Sequence, residues 1–269
     1  MHNKLFLIFS IFAILLISSS VATYAASYFD ESDLSSGLIY VTYESNNDAR
    51  IKLIVEKDSA RYIYDVNREG IRESFPLQLG DGEYKLSLLQ NTSGSSYRLI
   101  TTKVVNLELS APEKVFLNSI QNVNWNIDSN AVKKAVDLTK GTNDLQKKAN
   151  ILWKYMANDY NYDYNKLSKL QSSYVPVIDL TLKDKSGICY DFTSLYAAML
   201  RSQGIPAKLI KGYAPENAQG YHSWNEVYDS STKKWLTIDP TYDLQIIKKN
   251  PGIVSMIKNS SKYQKIYEY

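Results

Sequence analysis

Apolar and polar positions alternate in short runs over the first part of the chain. Leu38-Ile-Tyr-Val-Thr-Tyr43, Ile51-Lys-Leu-Ile-Val55, Tyr84-Lys-Leu-Ser-Leu-Leu89 and Thr102-Lys-Val-Val-Asn-Leu-Glu-Leu109 each read as a strand. The turn formers Asn46-Asn-Asp48, Gly80-Asp-Gly82 and Asn91-Thr-Ser-Gly94 lie between them. Short strands at this spacing predict a small β-sandwich over residues 27–110, of the immunoglobulin or fibronectin III kind. It holds no Cys and no His, which suits a spacer or binding module better than a catalytic unit. Residues 111–128, with Pro112 near their start, read as a linker.

From residue 129 the period lengthens to that of a helix. Ser129 can cap a helix with Val132, Ala135, Val136 and Leu138 inward, stopped by Gly141; a second begins at Thr142 or Asn143 and turns Leu145, Ala149, Leu152, Trp153 and Met156 to one side. Tyr160, Tyr162 and Tyr164 alternate in a polar stretch, and 166–186 reads as irregular. Gly187-Ile-Cys189 opens a third amphipathic run, with Phe192, Leu195, Tyr196, Met199 and Leu200 on one stripe and Gly204-Ile-Pro206 at its end. Two strand-like runs, Tyr221–Tyr228 and Lys234–Asp239, flank Asp229–Thr232 and predict a hairpin. Residues 129–269 thus read as a second domain. In the C-terminal segment Lys248, Lys249, Lys258, Lys262 and Lys265 stand against Glu268 and read as a solvated basic tail.

The start of the chain changes how the rest is read. Lys4 precedes the apolar run Leu5–Ile17, broken only by Ser10, and small residues follow to Ala26. This is the pattern of a secretory signal peptide over residues 1–25, cleaved after Ala25 or Ala22. The alternative is a retained anchor, since no charge appears from Leu5 to Phe29 and about 20 apolar residues span a bilayer. Membrane association is expected only in that second case; otherwise the protein is secreted or held in the cell envelope. After cleavage Cys189 and His222 are the sole cysteine and histidine, so neither an internal disulfide nor a Cys/His zinc site is available. An unpaired cysteine in an exported protein suggests a reactive thiol. The composition of the 269 residues, 44% hydrophobic and 22% charged, is globular, and the net charge of +3 is too small to argue for nucleic acid. No glycine-rich phosphate loop occurs.

Cys189 falls in the first turn of its helix, where unpaired N–H groups and the positive dipole end favour a thiolate. Gly187 just before it allows another backbone to come close. Free cysteine is equally at home as a small buried core residue, and helix position alone does not choose. The hairpin adds geometry. A loop of Asp229–Thr232 pairs Tyr228 with Lys233, hence Glu226 with Trp235, Trp224 with Thr237 and His222 with Asp239. Directly opposed residues share a face of the sheet. A carboxylate there would set the imidazole tautomer, as in a nucleophile–base–acid triad; a surface ion pair is the plainer alternative.

Five ordered motifs then resemble one family: Gly187-Ile-Cys-Tyr-Asp-Phe192, Leu200-Arg-Ser-Gln-Gly-Ile-Pro-Ala207, Lys211-Gly-Tyr213, His222-Ser-Trp-Asn-Glu-Val227 and Trp235…Asp239-Pro-Thr241. They resemble the transglutaminase-like superfamily, in a bacterial secreted form, over about residues 143–243. The resemblance implies a papain-like α+β core over residues 129–269, a nucleophile helix packed on an antiparallel sheet. It makes Cys189 the nucleophile, His222 its base and proton donor, and Asp239 the orienting acid. Gly187, Trp224 and Asn225 would shape the site. The Cys189 N–H would be one oxyanion donor, with Tyr162 or Tyr164 as a candidate second. Lys208 stands where relatives often carry Arg. The implied activity is acyl transfer from amide bonds of protein or peptide substrates through a thioester, with cell-wall peptide among the candidates, as a transglutaminase-like transferase or a peptidase or amidase. No metal and no cofactor are expected. The contrasting expectation is a non-catalytic cell-surface binding module that uses the same fold.

Overall fold

The computed structural model describes residues 28–171, 173–214, 220–247 and 254–269. The signal segment, Lys248 and Lys249 lie outside the described residues. No helix among the described residues is long and apolar enough to cross a membrane.

Strands β1 (Phe29–Asp30), β2 (Leu38–Glu44), β3 (Ile51–Lys57), β4 (Ala60–Val66), β5 (Glu69–Pro76), β6 (Gly82–Ser93) and β7 (Ser96–Leu107) make two sheets, ordered β1-β2-β5 and β4-β3-β6-β7. Their alternation puts Ile39, Val41, Leu53, Val55, Tyr64, Phe75, Leu86 and Leu88 into one shared core between the sheets. The Tyr84 hydroxyl reaches back to the carbonyls of Gly80 (2.8 Å) and Leu77 (3.0 Å) and pins the corner that feeds β6. Residues 111–128 are packed rather than a loose linker. They form a 3-10 turn, Pro112–Leu117, with Val115 and Phe116 buried, and Ile120 and Val123 enter the core of the second domain. Val115 covers Gly37 of the first domain and Phe116 meets the Trp235 ring of the second at 5.3 Å, so these apolar side chains leave water by docking between surfaces supplied by both.

The second domain runs α1 (Asn130–Thr139), α2 (Leu145–Asp159), β8 (Asn161–Tyr162), α3 (Tyr164–Ser168), α4 (Ile178–Asp184), β9 (Ser186–Gly187), α5 (Cys189–Ser202), β10 (Ala207–Tyr213), β11 (Tyr221–Asp229), β12 (Lys234–Ile238), α6 (Pro240–Ile247) and β13 (Gln264–Glu268). The sheet is antiparallel, in order β12-β11-β10-β13. Helix α5 lies at the centre, with α1, α2, α4 and α6 against it and β10 and β11 beneath. Every residue from Tyr190 to Arg201 is buried, so the stripe read from the sequence is only one side of a helix enclosed all round. It stops where Gly204 takes φ +76° and the N–H groups of Gly204 and Ile205 close on the carbonyls of Arg201 (3.0 Å) and Leu200 (3.0 Å).

Several local expectations shift. The N-terminus of α1 is satisfied by Asp179, whose carboxylate accepts from the N–H groups of Asn130 and Ala131 at 2.9 Å each, not by the Ser129 side chain; Val136 faces solvent. Helix α2 begins at Leu145 because Asp144 takes the Lys147 N–H at 3.0 Å. The stretch read as irregular contains most of α3 and all of α4. The C-terminal segment is no solvated tail: β13 adds to the sheet edge, Lys258 pairs with Asp243, and Lys265 lies 3.0 Å from Glu226 and 2.8 Å from Glu268.

Candidate active site

Cys189 is the first residue of α5 and is partly exposed, not sealed in the core. The start of the helix is held by Asp191, which is fully buried. One carboxylate oxygen accepts from the Ile188 N–H at 2.9 Å and sits 2.7 Å from Lys166 Nζ; the other accepts from the Tyr174 hydroxyl. An acid three residues past the cap that bonds back to the cap N–H is half of a capping box, a signal present in the sequence but passed over as a site feature. The closeness at Gly187 is to this side chain as well as to a backbone, since the Asp163 N–H donates to the Gly187 carbonyl at 2.8 Å. A Cβ on Gly187 would lie 2.8 Å from both Asp191 Cβ and Oδ2.

The hairpin closes one residue later on each strand than the turn composition suggested. Asp229 is still in the ladder, opposite Lys234, because its carboxylate organises the loop: it accepts from the Ser231 N–H (2.9 Å), the Ser231 hydroxyl (2.7 Å) and the Thr232 hydroxyl (2.7 Å), and Lys233 turns the chain at φ +55°. His222 and Asp239 are therefore not directly opposed. The shift is even, so it preserves faces, and β12 ends at Ile238 opposite Asn225. Asp239 leaves the strand as the residue before α6, where Oδ1 accepts the Tyr242 N–H at 2.9 Å and Pro240 occupies the first helical position. Oδ2 remains free to meet His222 Nε2 at 2.9 Å. It also accepts from the Tyr263 hydroxyl at 3.2 Å, a partner that no local pattern in the sequence indicated.

Burial by itself would lower the His222 pKa. The charge and hydrogen bond of Asp239, followed by those of Cys189, reverse this and raise it to about 10. With Nε2 engaged by Asp239, Nδ1 is the nitrogen left for the thiol. Trp224 is buried and stacks on the imidazole, ring centres 6.3 Å apart and planes 20° from parallel. Asn225 is buried on the neighbouring position of β11 and donates to the carbonyls of Thr193 (3.0 Å) and Lys208 (3.1 Å). It ties α5 to the sheet rather than lining the thiol.

The two tyrosines proposed as oxyanion donors part company. Tyr162 pairs with Gly187 through the short parallel bridge of β8 and β9, two residues before Cys189, and its phenol is electrostatically coupled to Cys189. Burial first, then the neighbouring Cys189, hold that phenol above its ordinary pKa. Tyr164 packs tilted against Tyr162, ring centres 4.8 Å apart, is largely exposed and has its hydroxyl 3.4 Å from Gln245 Oε1. Tyr160 is buried against Phe192, ring centres 5.8 Å apart. A helix-terminal thiol, an imidazole able to exchange a proton with it, and a carboxylate that fixes the imidazole are together the parts of an activated nucleophile.

Comparison with known proteins places part of the chain in a family. A family model for the transglutaminase-like superfamily matches residues 132–240, from α1 to the residue after Asp239. Residues 132–240 form a transglutaminase-like domain. An uncharacterised Bacillus subtilis protein, YebA, is 25% identical over 161 residues, which are 54% of this chain and 22% of that protein. A Pseudomonas aeruginosa protein-glutamine gamma-glutamyltransferase is 30% identical over 98 residues, 32% of this chain and 14% of that protein. The chain thus matches less than a quarter of the length of either. Among solved structures, the periplasmic domain of TgpA from Pseudomonas aeruginosa aligns with 83% of this chain and 94% of its own at a TM-score of 0.38 and 16% identity. In this chain the matched residues follow a β-rich region and include Cys189, His222 and Asp239.

Proposed function

We propose that the protein is an exported cysteine acyl-transfer enzyme acting on amide bonds of protein or peptide substrates, cell-wall peptides among them. One observation carries the reading: the His222 Nε2 bond to Asp239 at 2.9 Å sets the tautomer that leaves Nδ1 to take the Cys189 proton. The thiolate then attacks the amide carbonyl. The oxyanion that forms calls for donors, and the Cys189 N–H and the Tyr162 hydroxyl are the groups we assign to that role. His222 returns its proton to the departing amine, a thioester remains on Cys189, and an amine or water releases it. The name of the Pseudomonas aeruginosa relative, a protein-glutamine gamma-glutamyltransferase, supports a carboxamide as acyl donor. Export is supported by the charged start, apolar run and small-residue exit of residues 1–25.

The test needs no substrate. Iodoacetamide alkylation of Cys189 is followed from acid to alkaline pH in the wild type and in His222→Ala. A rate that has already levelled off at neutral pH and is lost in the variant is the expected result. A rate that rises only around the ordinary thiol pKa of about 8.5, identical in both proteins, overturns the proposal. So does amide turnover that persists in Cys189→Ala.

A further inference from the structure

The lysines packed around the site hold carboxylates, with one exception. Lys166 Nζ lies 2.7 Å from Asp191, Lys208 Nζ lies 3.0 Å from Glu268, and Lys258 pairs with Asp243. Lys211 has no ion-pair partner among the described residues. It sits on β10 opposite Ser223, one position before the Gly212–His222 pair. Its ammonium lies 3.7 Å from the ring centre of Tyr190, the residue after Cys189, and 5.1 Å from that of Tyr269. The Tyr190 ring is itself fixed, since its hydroxyl accepts from Asn122 Nδ2 at 2.7 Å. Burial brings the Lys211 pKa down to about 8, and Cys189 is the group whose charge acts against that fall. The ammonium and the thiol therefore share one electrostatic neighbourhood. Two ring faces compensate part of the hydration that the ammonium gives up, but they bring no net charge. A cation with no ion-pair partner among the described residues, lying on the ring of the residue that follows Cys189, can be completed by an anion from outside the chain.

We infer that Lys211 binds a carboxylate of the acyl donor, so that the site selects acidic peptides with a carboxylate close to the amide under attack. This rests on Cys189 as the attacking atom. A glutamate-, aspartate- or terminal-carboxylate-bearing donor would exchange water for the Lys211 ammonium, and a donor neutral at that position would leave the ammonium unpaired.

Iodoacetate and iodoacetamide test it. They share a leaving group and differ in a carboxylate against a neutral amide, and both report on Cys189 without a known substrate. The quantity read is the ratio of their alkylation rates at neutral pH, which cancels any change in the thiol itself. In Lys211→Met, which keeps the length of the stem, the ratio of iodoacetate to iodoacetamide should fall about tenfold, the worth of one charge-assisted hydrogen bond. Lys211→Arg should hold the wild-type ratio. Equal slowing of both reagents in Lys211→Met would assign the lysine to the thiol and overturn the inference, as would an unchanged ratio. Loss of the ratio in Lys211→Arg as well would make it a packing effect and overturn it too. A wild-type rate indifferent to His222 would sink the enzymatic reading, while the ratio would still decide the role of Lys211.

Discussion

Asp239 does two jobs with two oxygens, and substituting it separates them. Oδ1 caps α6 through the Tyr242 N–H at 2.9 Å, and Oδ2 takes His222 Nε2 at 2.9 Å and the Tyr263 hydroxyl at 3.2 Å. In Asp239→Asn only one oxygen remains. The Tyr242 N–H is fixed in the helix and cannot turn away, whereas an imidazole can change tautomer, so the amide oxygen should stay on the cap. The amide NH2 then faces Nε2, which must become an acceptor, and the proton moves to Nδ1, the nitrogen facing the thiol. A base already protonated there cannot take the Cys189 proton. Stability should fall by about 2 kcal/mol for one charge-assisted bond. Alkylation of Cys189 at neutral pH should slow by about tenfold or more, and turnover on any amide substrate by about a thousandfold or more, the scale on which a wrong tautomer acts in a triad.

Asp239→Ala should lose the cap as well, a further ~1 kcal/mol, with the same loss of alkylation as the asparagine variant. Urea denaturation supplies the stabilities and iodoacetamide kinetics the reactivity. The reasoning is refuted if Asp239→Asn is folded and alkylated at the wild-type rate. It is refuted equally if the two variants have the same stability, since Oδ1 would then contribute nothing as a cap.

Two further perturbations probe the site from other sides. His222 has its pKa raised from the ordinary 6.5 to about 10, so the folded state holds the proton more tightly than the unfolded one; its stabilisation is complete below pH 6.5 and is lost as pH rises through about 10. The stability advantage of the wild type over His222→Gln in urea should therefore shrink between those limits, and a difference independent of pH would contradict the linkage. Gly187→Ala would place a Cβ 2.8 Å from Asp191 Cβ and Oδ2; the expected cost is about 1–3 kcal/mol, accompanied by slower alkylation as Asp191 is pushed off the Ile188 N–H. An alanine variant with wild-type stability and reactivity would show that Asp191 does not hold the start of α5.

Much of this was legible from local pattern. Alternation and turn residues marked the strands of the sandwich, and helical spacing with Gly187 before and Gly204 after delimited the run that carries Cys189. The parity of the hairpin put His222 and Asp239 on one face, and parity survives an even shift of register, so that prediction of a shared face held although the predicted pairing did not. The shift came from Asp229, whose side chain competes for the loop N–H and hydroxyl groups in a way that turn composition does not resolve. Local pattern also could not tell a linker from a docked segment, because Val115, Phe116, Ile120 and Val123 bury only against surfaces supplied from elsewhere in the chain.

The sequence by itself determined the residue types, their order and their period: one cysteine at a helix start, one histidine beyond His2, one aspartate followed by proline at a strand end. Those features depend on neighbours within a few positions, where backbone geometry is periodic and can be counted. Tertiary structure alone decided which groups converge on the thiol. Tyr162 arrives through a two-residue parallel bridge, Tyr263 from just before the last strand, Asp191 acquires Lys166 and Tyr174 as partners, and Lys211 lies over the Tyr190 ring with no ion-pair partner among the described residues. Each of these depends on long-range packing of α5 against the sheet and on how far each group is withdrawn from water, and neither has a period along the chain.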